Sequence, residues 1–229
     1  MSRAIACLSS MATRHILEDL GRDYEHRHGV KVALRSMGGV EAAKLARAGE
    51  RTDIIALASK ALESLEAEGH VVRDSVRAFA RSKIGIAVPA GSRRPNLENG
   101  AAVRQAMTEA RRVCYSTGPS GDHFQALCER WGLADSVLAR ALKAPPGVPV
   151  ATLVANGEAD LGIQQLSELI GQPGIEIAGP LPQEIQAMTV FSAGVSTASN
   201  EREAAQALVA YLASTDAHEP IRRHGMEPA

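Results

Sequence analysis

The sequence predicts an α/β fold with a parallel sheet covered on both faces. Short, continuous apolar runs alternate with segments whose apolar residues recur at helical spacing, and the early runs pass directly into turns rich in Ser or Gly. The first such unit is a strand over residues 4–8, the Ser9-Ser10 turn, and a helix with Ile16, Leu17, Leu20 and Tyr24 on one face. Gly29 closes that helix behind His26, Arg27 and His28, cations at the end where the macrodipole favours them. These histidines therefore read as a solvated helix end and not as metal ligands. A second strand over 30–34 leads through Ser36-Met37-Gly38-Gly39 into a helix over 40–48, and a third over 53–57 leads into a helix over 60–68. A strand over 84–88 follows, and then a polar, proline-containing surface loop over 92–100. Beyond it a second α/β series begins, with a helix over 101–111, a strand over 113–115, the loop 116–121 and helices over 122–131 and 134–142. Strands over 161–163, 175–177 and 187–193 come next, and a helix over 201–212 closes the series with Ala205, Leu208, Val209 and Leu212 on one face.

Composition narrows the function classes. A chain of 229 residues supports one large or two small domains. Its 25 basic and 26 acidic side chains leave a net charge of −1, and aromatic residues supply only 3%, so neither a polyanion-binding face nor base-stacking platforms are expected; nucleic acid is not a partner. Cys7, Cys114 and Cys128 lack metal-ligand spacing and are odd in number, which reads as three small buried thiols. No apolar run approaches the ~20 residues that span a bilayer, so no membrane insertion is expected. The opening residues show no leader, which gives a cytoplasmic expectation for the sequence as written and a periplasmic one for a chain whose leader has been removed. GxSxG, HExxH, P-loop and Rossmann fingerprints are missing, so no metal and no cofactor is called for.

A series of local patterns then occurs in a telling order. Cys7-Leu8-Ser9-Ser10-Met11 is followed by Lys44-Leu45-Ala46-Arg47-Ala48-Gly49 and by Asp53-Ile54-Ile55-Ala56-Leu57-Ala58-Ser59. Ile84-Gly85-Ile86-Ala87-Val88-Pro89, Pro119-Ser120-Gly121 and the stretch Leu153-Val154-Ala155-Asn156-Gly157-Glu158-Ala159-Asp160-Leu161-Gly162-Ile163 come after. Ala210-Tyr211-Leu212-Ala213-Ser214 and Arg222-Arg223-His224-Gly225-Met226 close it. In this order the chain resembles the type II periplasmic binding proteins, in particular their molybdate-binding and related oxyanion-binding branch. The resemblance implies two Rossmann-like lobes with a central ligand cleft and two hinge crossings. Residues 1–81 plus 193–229 would form lobe 1 and residues 82–192 lobe 2, with hinge strands near 82–88 and 188–193.

The residues themselves point to an anion. Ser9-Ser10, Gly38-Gly39 and the loop Ser116-Thr117-Gly118-Pro119-Ser120-Gly121 each stand at the carboxyl end of an expected strand and at the start of a helix. Unpaired N–H groups, positive dipole ends and hydroxyl donors gather there. Taken singly each junction is an ordinary cap or turn; three in this order favour binding. The resemblance places ligand contacts on Ser10, on Gly39 where the family has a hydroxyl residue, on Ser120, near Gly147-Val148, and on Gln165 where the molybdate branch has Tyr. Met11, Gly38, Thr117 and Gly121 complete the candidate set. The two departures, Gly39 and Gln165, suit a small carboxylate better than a compact oxyanion. Arg81 and Arg35 are candidate carboxylate partners. Read this way the chain is a solute-binding receptor for a small anion, with an ABC permease as partner if exported. Some proteins resembling this fold isomerise unsaturated tricarboxylates such as aconitate, and the alternative is such an isomerase using the same site. For it, Asp122 and His123 at the start of the helix after Ser120 are the bases to test.

Overall fold

The computed structural model describes residues 4–229. Its elements in chain order are β1 (Ile5–Ser10), α1 (Arg14–His28), β2 (Val32–Met37), α2 (Gly39–Arg47), β3 (Ile54–Ala58), α3 (Ser59–Ala67), β4 (Arg77–Ser82), β5 (Ile84–Pro89), α4 (Gly100–Glu109), β6 (Val113–Tyr115), α5 (Pro119–Arg130), β7 (Leu142–Lys143), α6 (Val150–Ala155), β8 (Leu161–Gln165), α7 (Leu166–Leu169), β9 (Ile175–Pro180), β10 (Thr189–Val195), α8 (Arg202–Leu212), α9 (His218–Arg223) and β11 (Glu227–Pro228). These fall into two compact units. Unit 1 holds the described residues up to Ser82 together with Thr189–Ala229, and unit 2 holds Lys83–Met188. The boundary between the units falls between Met188 and Thr189, where Thr189–Val195 begins as one continuous strand of unit 1, within the stretch near 188–193 expected to hold a hinge strand. Residues 1–3, counted with lobe 1 in the sequence reading, lie outside the described residues.

In unit 1 the strands run in the order β11-β4-β10-β3-β1-β2. Strands β1, β2 and β3 are parallel, in the register Ser9↔Ser36 and Ser9↔Ala56, so their carboxyl ends share one edge. One face packs Ile5, Cys7, Ile54 and Phe191 against Ile16, Leu20 and Tyr24 of α1 and Leu208, Val209 and Leu212 of α8. The other packs Leu8, Ile55 and Leu57 against Ala42, Ala43 and Ala46 of α2 and Leu62 and Leu65 of α3. Helix α1 stops where Gly29 turns left-handed, at φ 68°, and donates its N–H to the Glu25 carbonyl at 2.8 Å. Its basic last turn is not simply solvated: Arg27 pairs with Asp23 at 2.9 Å and Asp216 at 3.0 Å, and His28 lies 4.4 Å from the Tyr24 ring.

Unit 2 repeats the plan in the order β7-β6-β8-β5-β9. Strands β6, β7 and β8 are parallel and share a carboxyl edge. One face is covered by Val103 and Met107 of α4 and Phe124, Leu127 and Cys128 of α5, the other by Val150, Ala151 and Val154 of α6 and Leu169 of α7. The three cysteines are free and buried, and burial pushes the Cys7 and Cys114 thiols up to about 12.

Several local expectations are corrected. The sheets are mixed and not all-parallel: β10 runs antiparallel to β3 and β4, and β5 antiparallel to β8 and β9. An apolar run shows that both faces are buried but carries no sign of direction. The expected helix over 134–142 is absent; Leu138–Arg140 is a single 3-10 turn, and Leu142–Lys143 leaves it to pair with β6. Strand β2 runs on to Met37, which puts Ser36 inside the sheet and not in the following loop. Among the described residues no helix is long and apolar enough to cross a membrane.

Candidate functional site

Strand β1 delivers Ser10 to the shared edge of unit 1, where Met11–Thr13 forms a 3-10 turn into α1. Thr13 Oγ1 donates to the Ser10 carbonyl at 3.2 Å, while the Ser10 hydroxyl has only a 3.4 Å contact with Thr13 Oγ1. Ser10 is buried yet its hydroxyl is weakly engaged, which leaves it a donor to spare. Gly38 and Gly39 open α2 beside it. A Cβ on Gly38 would meet nothing within 4 Å, and one on Gly39 would stand in ordinary contact, 3.8 Å, with Ser10 Cβ. The sequence reading missed two further hydroxyl pairs at this edge: Ser9 and Ser36 at 2.7 Å, and Ser59, which opens α3, with Ser192 at 2.6 Å. The amino ends of α2 and α3 and the turn into α1 thus bring backbone N–H groups and positive dipole ends to the same edge.

The arginines are differently placed. Arg35 is exposed on β2 and pairs with Glu50 at 3.1 Å. Arg81, near the end of β4, donates Nη2 and Nε to the Pro228 carbonyl at 2.9 and 3.2 Å, which ties β4 to the terminal strand β11.

The corresponding edge of unit 2 carries the loop between β6 and α5. Ser116 and Ser120 face each other at 2.9 Å, and Gly118 N–H points at Ser116 Oγ from 3.4 Å. Thr117 stands half-buried in the same turn and Ser120 is buried. Gly121 N–H donates to the Gly118 carbonyl at 2.8 Å, and a Cβ at Gly121 would lie 1.8 Å from the Ser116 carbonyl oxygen. Only glycine lets this turn close. Val148, half-buried just before α6, packs against the buried cluster that includes Ala144 and Val150, and donates its N–H to the Pro145 carbonyl at 3.0 Å. Gln165 ends β8 opposite Ile84, with its side chain buried. Within unit 2 the structure therefore gathers Thr117, Ser120, Gly121, Val148 and Gln165 at one sheet edge, and within unit 1 it gathers Ser10, Met11, Gly38 and Gly39.

The two bases offered by the sequence both lie on α5. Asp122 is exposed in the first turn of α5. His123 donates Nε2–H to the Ile185 carbonyl at 2.7 Å, which fixes its tautomer and ties α5 to the 3-10 turn Gln183–Ile185. A carboxyl that the sequence reading passed over stands nearby in the chain: Glu168 on α7, half-buried, accepts from Gln164 Nε2 at 2.7 Å. Burial pushes its pKa up to about 7, and the Gln164 hydrogen bond only partly opposes the rise. Gln164 lies in β8 and Glu168 on α7, so the pair forms across a strand-to-helix junction that the sequence did not signal. Among the described residues no group of three His, Cys, Asp or Glu side chains could hold a metal ion.

Comparison with known proteins adds the following. A profile of the family described as bacterial extracellular solute-binding protein matches residues 5–227. An aconitate isomerase from Pseudomonas sp is 38% identical over 231 residues, covering 98% of this chain and 87% of that protein. The periplasmic molybdate-binding protein of Azotobacter vinelandii superposes with a TM-score of 0.81 at 20% identity, over 97% of this chain and 98% of that one. A tungstate ABC transporter structure from Geobacter sulfurreducens superposes with a TM-score of 0.75 at 15% identity, over 96% and 98% of the two chains. The fold is that of the type II periplasmic binding proteins.

Proposed function

Because this chain belongs to the bacterial extracellular solute-binding protein family, we propose that it binds a small carboxylate anion at strand-end donors of the kind each unit presents. One observation carries the reading: each unit brings hydroxyls and backbone N–H groups to the carboxyl edge of its parallel strands, with Ser10 beside Gly39 in one and Ser116, Ser120 and Gly121 in the other. Such donors favour a negative ligand, and a hydrogen bond to a charged group contributes about 1.5–3 kcal/mol. Gly39 offers room in place of a hydroxyl, and the Gln165 amide both donates and accepts. Both features favour a branched carboxylate over a tetrahedral oxyanion. The test is a thermal-shift and calorimetry panel of cis- and trans-aconitate, citrate, tricarballylate, succinate, molybdate, tungstate, sulfate and phosphate. A carboxylate should stabilise the protein as RT ln(1 + [L]/Kd), and a shift with the oxyanions alone would sink the carboxylate assignment.

A second reading is favoured by the 38% identity to an aconitate isomerase over nearly the whole chain. On it, the bound acid undergoes a 1,3-proton shift. NMR in D₂O with cis- or trans-aconitate distinguishes the two, since an isomerase interconverts the acids and incorporates deuterium while a receptor only binds them. A receptor role pairs the chain with an ABC permease and calls for a periplasmic location; the isomerase role needs neither.

A further inference from the structure

Within unit 2, α7 follows Gln165 without a gap, and its packing neighbours are β5, β8 and α6. None of Ile84–Pro89, Leu161–Gln165 or Val150–Ala155 carries an ionisable side chain, nor does any other residue of α7 itself. Lys83, which immediately precedes β5, is the nearest along these segments; its carbonyl accepts the Leu166 N–H at 2.8 Å. Glu168 is thus a carboxyl set among apolar and neutral groups. The same stretch of chain holds polar atoms whose capacity is unused: Gln164 Oε1 and Ser167 Oγ are buried with no hydrogen-bond partner among the described residues. Two such atoms within four residues of one chain are uncommon in a native protein and call for a physical reason. Tyr115 pairs with Ile163, so Ser116 and Gln164 are the next residues along two neighbouring parallel strands, and the Glu168 cluster belongs to the same end of unit 2 as the serine loop.

We propose that Glu168 is the base that carries the proton in a 1,3-shift of an unsaturated tricarboxylate, an inference that rests on the isomerase reading. Gln164 Nε2 fixes Oε2 at 2.7 Å, and Oε1 accepts the proton. Its carboxylate removes a proton from the saturated CH₂ of the acid, breaking that C–H bond and becoming a carboxylic acid. The electron pair spreads over the three allylic carbons and into the flanking carboxylates. Glu168 then returns the proton to the former alkene CH, a new C–H bond forms there, and the double bond has moved by one position with no net gain or loss of electrons. The carboxyl ends ionised, as it began. A pKa pushed up to about 7 by burial suits a group that must both take and give a proton near neutrality.

The test compares the full chain with Glu168→Gln and Glu168→Asp. Aconitate interconversion is followed by NMR in D₂O, and binding of tricarballylate, which has no double bond to move, by calorimetry. The expected result is a fall in kcat of about 100-fold or more for Glu168→Gln, partial activity in Glu168→Asp, and tricarballylate affinity within about threefold of the parent. The parent's kcat should also fall as the pH drops below about 7. Full activity in Glu168→Gln, or a parent rate with no ionisation in that region, overturns the assignment while leaving the isomerase reading intact. A parent that binds aconitate without interconverting it or taking up deuterium overturns the isomerase reading, and this inference with it.

Discussion

Replacing Gly121 by Ala tests whether the turn between β6 and α5 shapes the binding edge. The new Cβ would stand 1.8 Å from the Ser116 carbonyl oxygen, 2.9 Å from its carbonyl carbon and 3.1 Å from Tyr115 Cδ2. Moving that oxygen out to an ordinary contact of 3.4 Å requires a displacement of about 1.6 Å. The obstacle is backbone, and the next residue, Tyr115, is locked in β6 and packs on Phe124 at 4.9 Å between ring centroids. Overpacking of this kind costs typically 1–3 kcal/mol, and alanine's better helix propensity returns at most about 1 kcal/mol. A net loss of about 2 kcal/mol is expected, or roughly 4–8 °C in Tm for a chain of this size. Moving Ser116 also separates its hydroxyl from Ser120 at 2.9 Å, so carboxylate affinity should fall at least tenfold. The matched control is Gly118→Ala, three residues earlier at the cap of the same helix, where a Cβ meets nothing within 4 Å and φ is −102°. It should cost less than about 1 kcal/mol. Urea unfolding and calorimetry on both variants decide the matter, and equal effects for the two would refute the steric argument.

Ser10→Ala and Ser120→Ala should each weaken carboxylate binding by about 1–3 kcal/mol in calorimetry. For Ser10 the loss of stability should stay below about 1 kcal/mol, since its hydroxyl makes only a 3.4 Å contact; normal binding by both variants would discard the site. Glu168 has a folded pKa raised to about 7 against an ordinary 4.5, so the folded chain keeps a proton that the unfolded chain releases between those values, and stability falls as the pH rises through that window. Glu168→Gln should lack this fall, which urea titrations at pH 5 and pH 8 will show. Tyr211→Phe removes a 2.5 Å hydrogen bond to the Asp23 carboxylate and should cost about 1–2 kcal/mol. That bond is the largest influence holding the Asp23 pKa down, so the stability Asp23 contributes, lost as the pH falls through its folded pKa, should be lost at higher pH in the variant.

The serine and glycine turns were legible because small residues directly after an apolar run leave few conformations other than a strand-to-helix junction. Gly121 stood out in the sequence as part of such a turn, although the closeness of Ser116 did not. The hydroxyl pairs were hidden for distinct reasons. Ser36 is inside β2, where apolar patterning fades before the strand ends, and Ser59 meets a residue 133 positions away. Strand β4 escaped notice because Arg77 and Arg81 point outward from a half-exposed segment whose alternation is spread over six residues. Glu168 was unreadable in principle, since nothing in Leu166-Ser167-Glu168-Leu169 tells a solvated helix carboxylate from one pressed against apolar strands.

The place of β10 between β3 and β4 has a consequence for biosynthesis. Both neighbours leave the ribosome long before it does, and the 130 residues between Ala58 and Thr189 must be translated before β10 can begin to enter. At 5–20 residues per second that interval is roughly 6–26 s. Through it the β3 and β4 edges that β10 will cover are unpaired, a surface that invites pairing with other nascent chains. The contiguous Lys83–Met188 stretch has all its own strands in hand by then and can fold first. A nascent-chain proteolysis series should accordingly find unit 2 protected before unit 1, and ribosome-associated chaperones have their longest work on the half of the molecule that is made first.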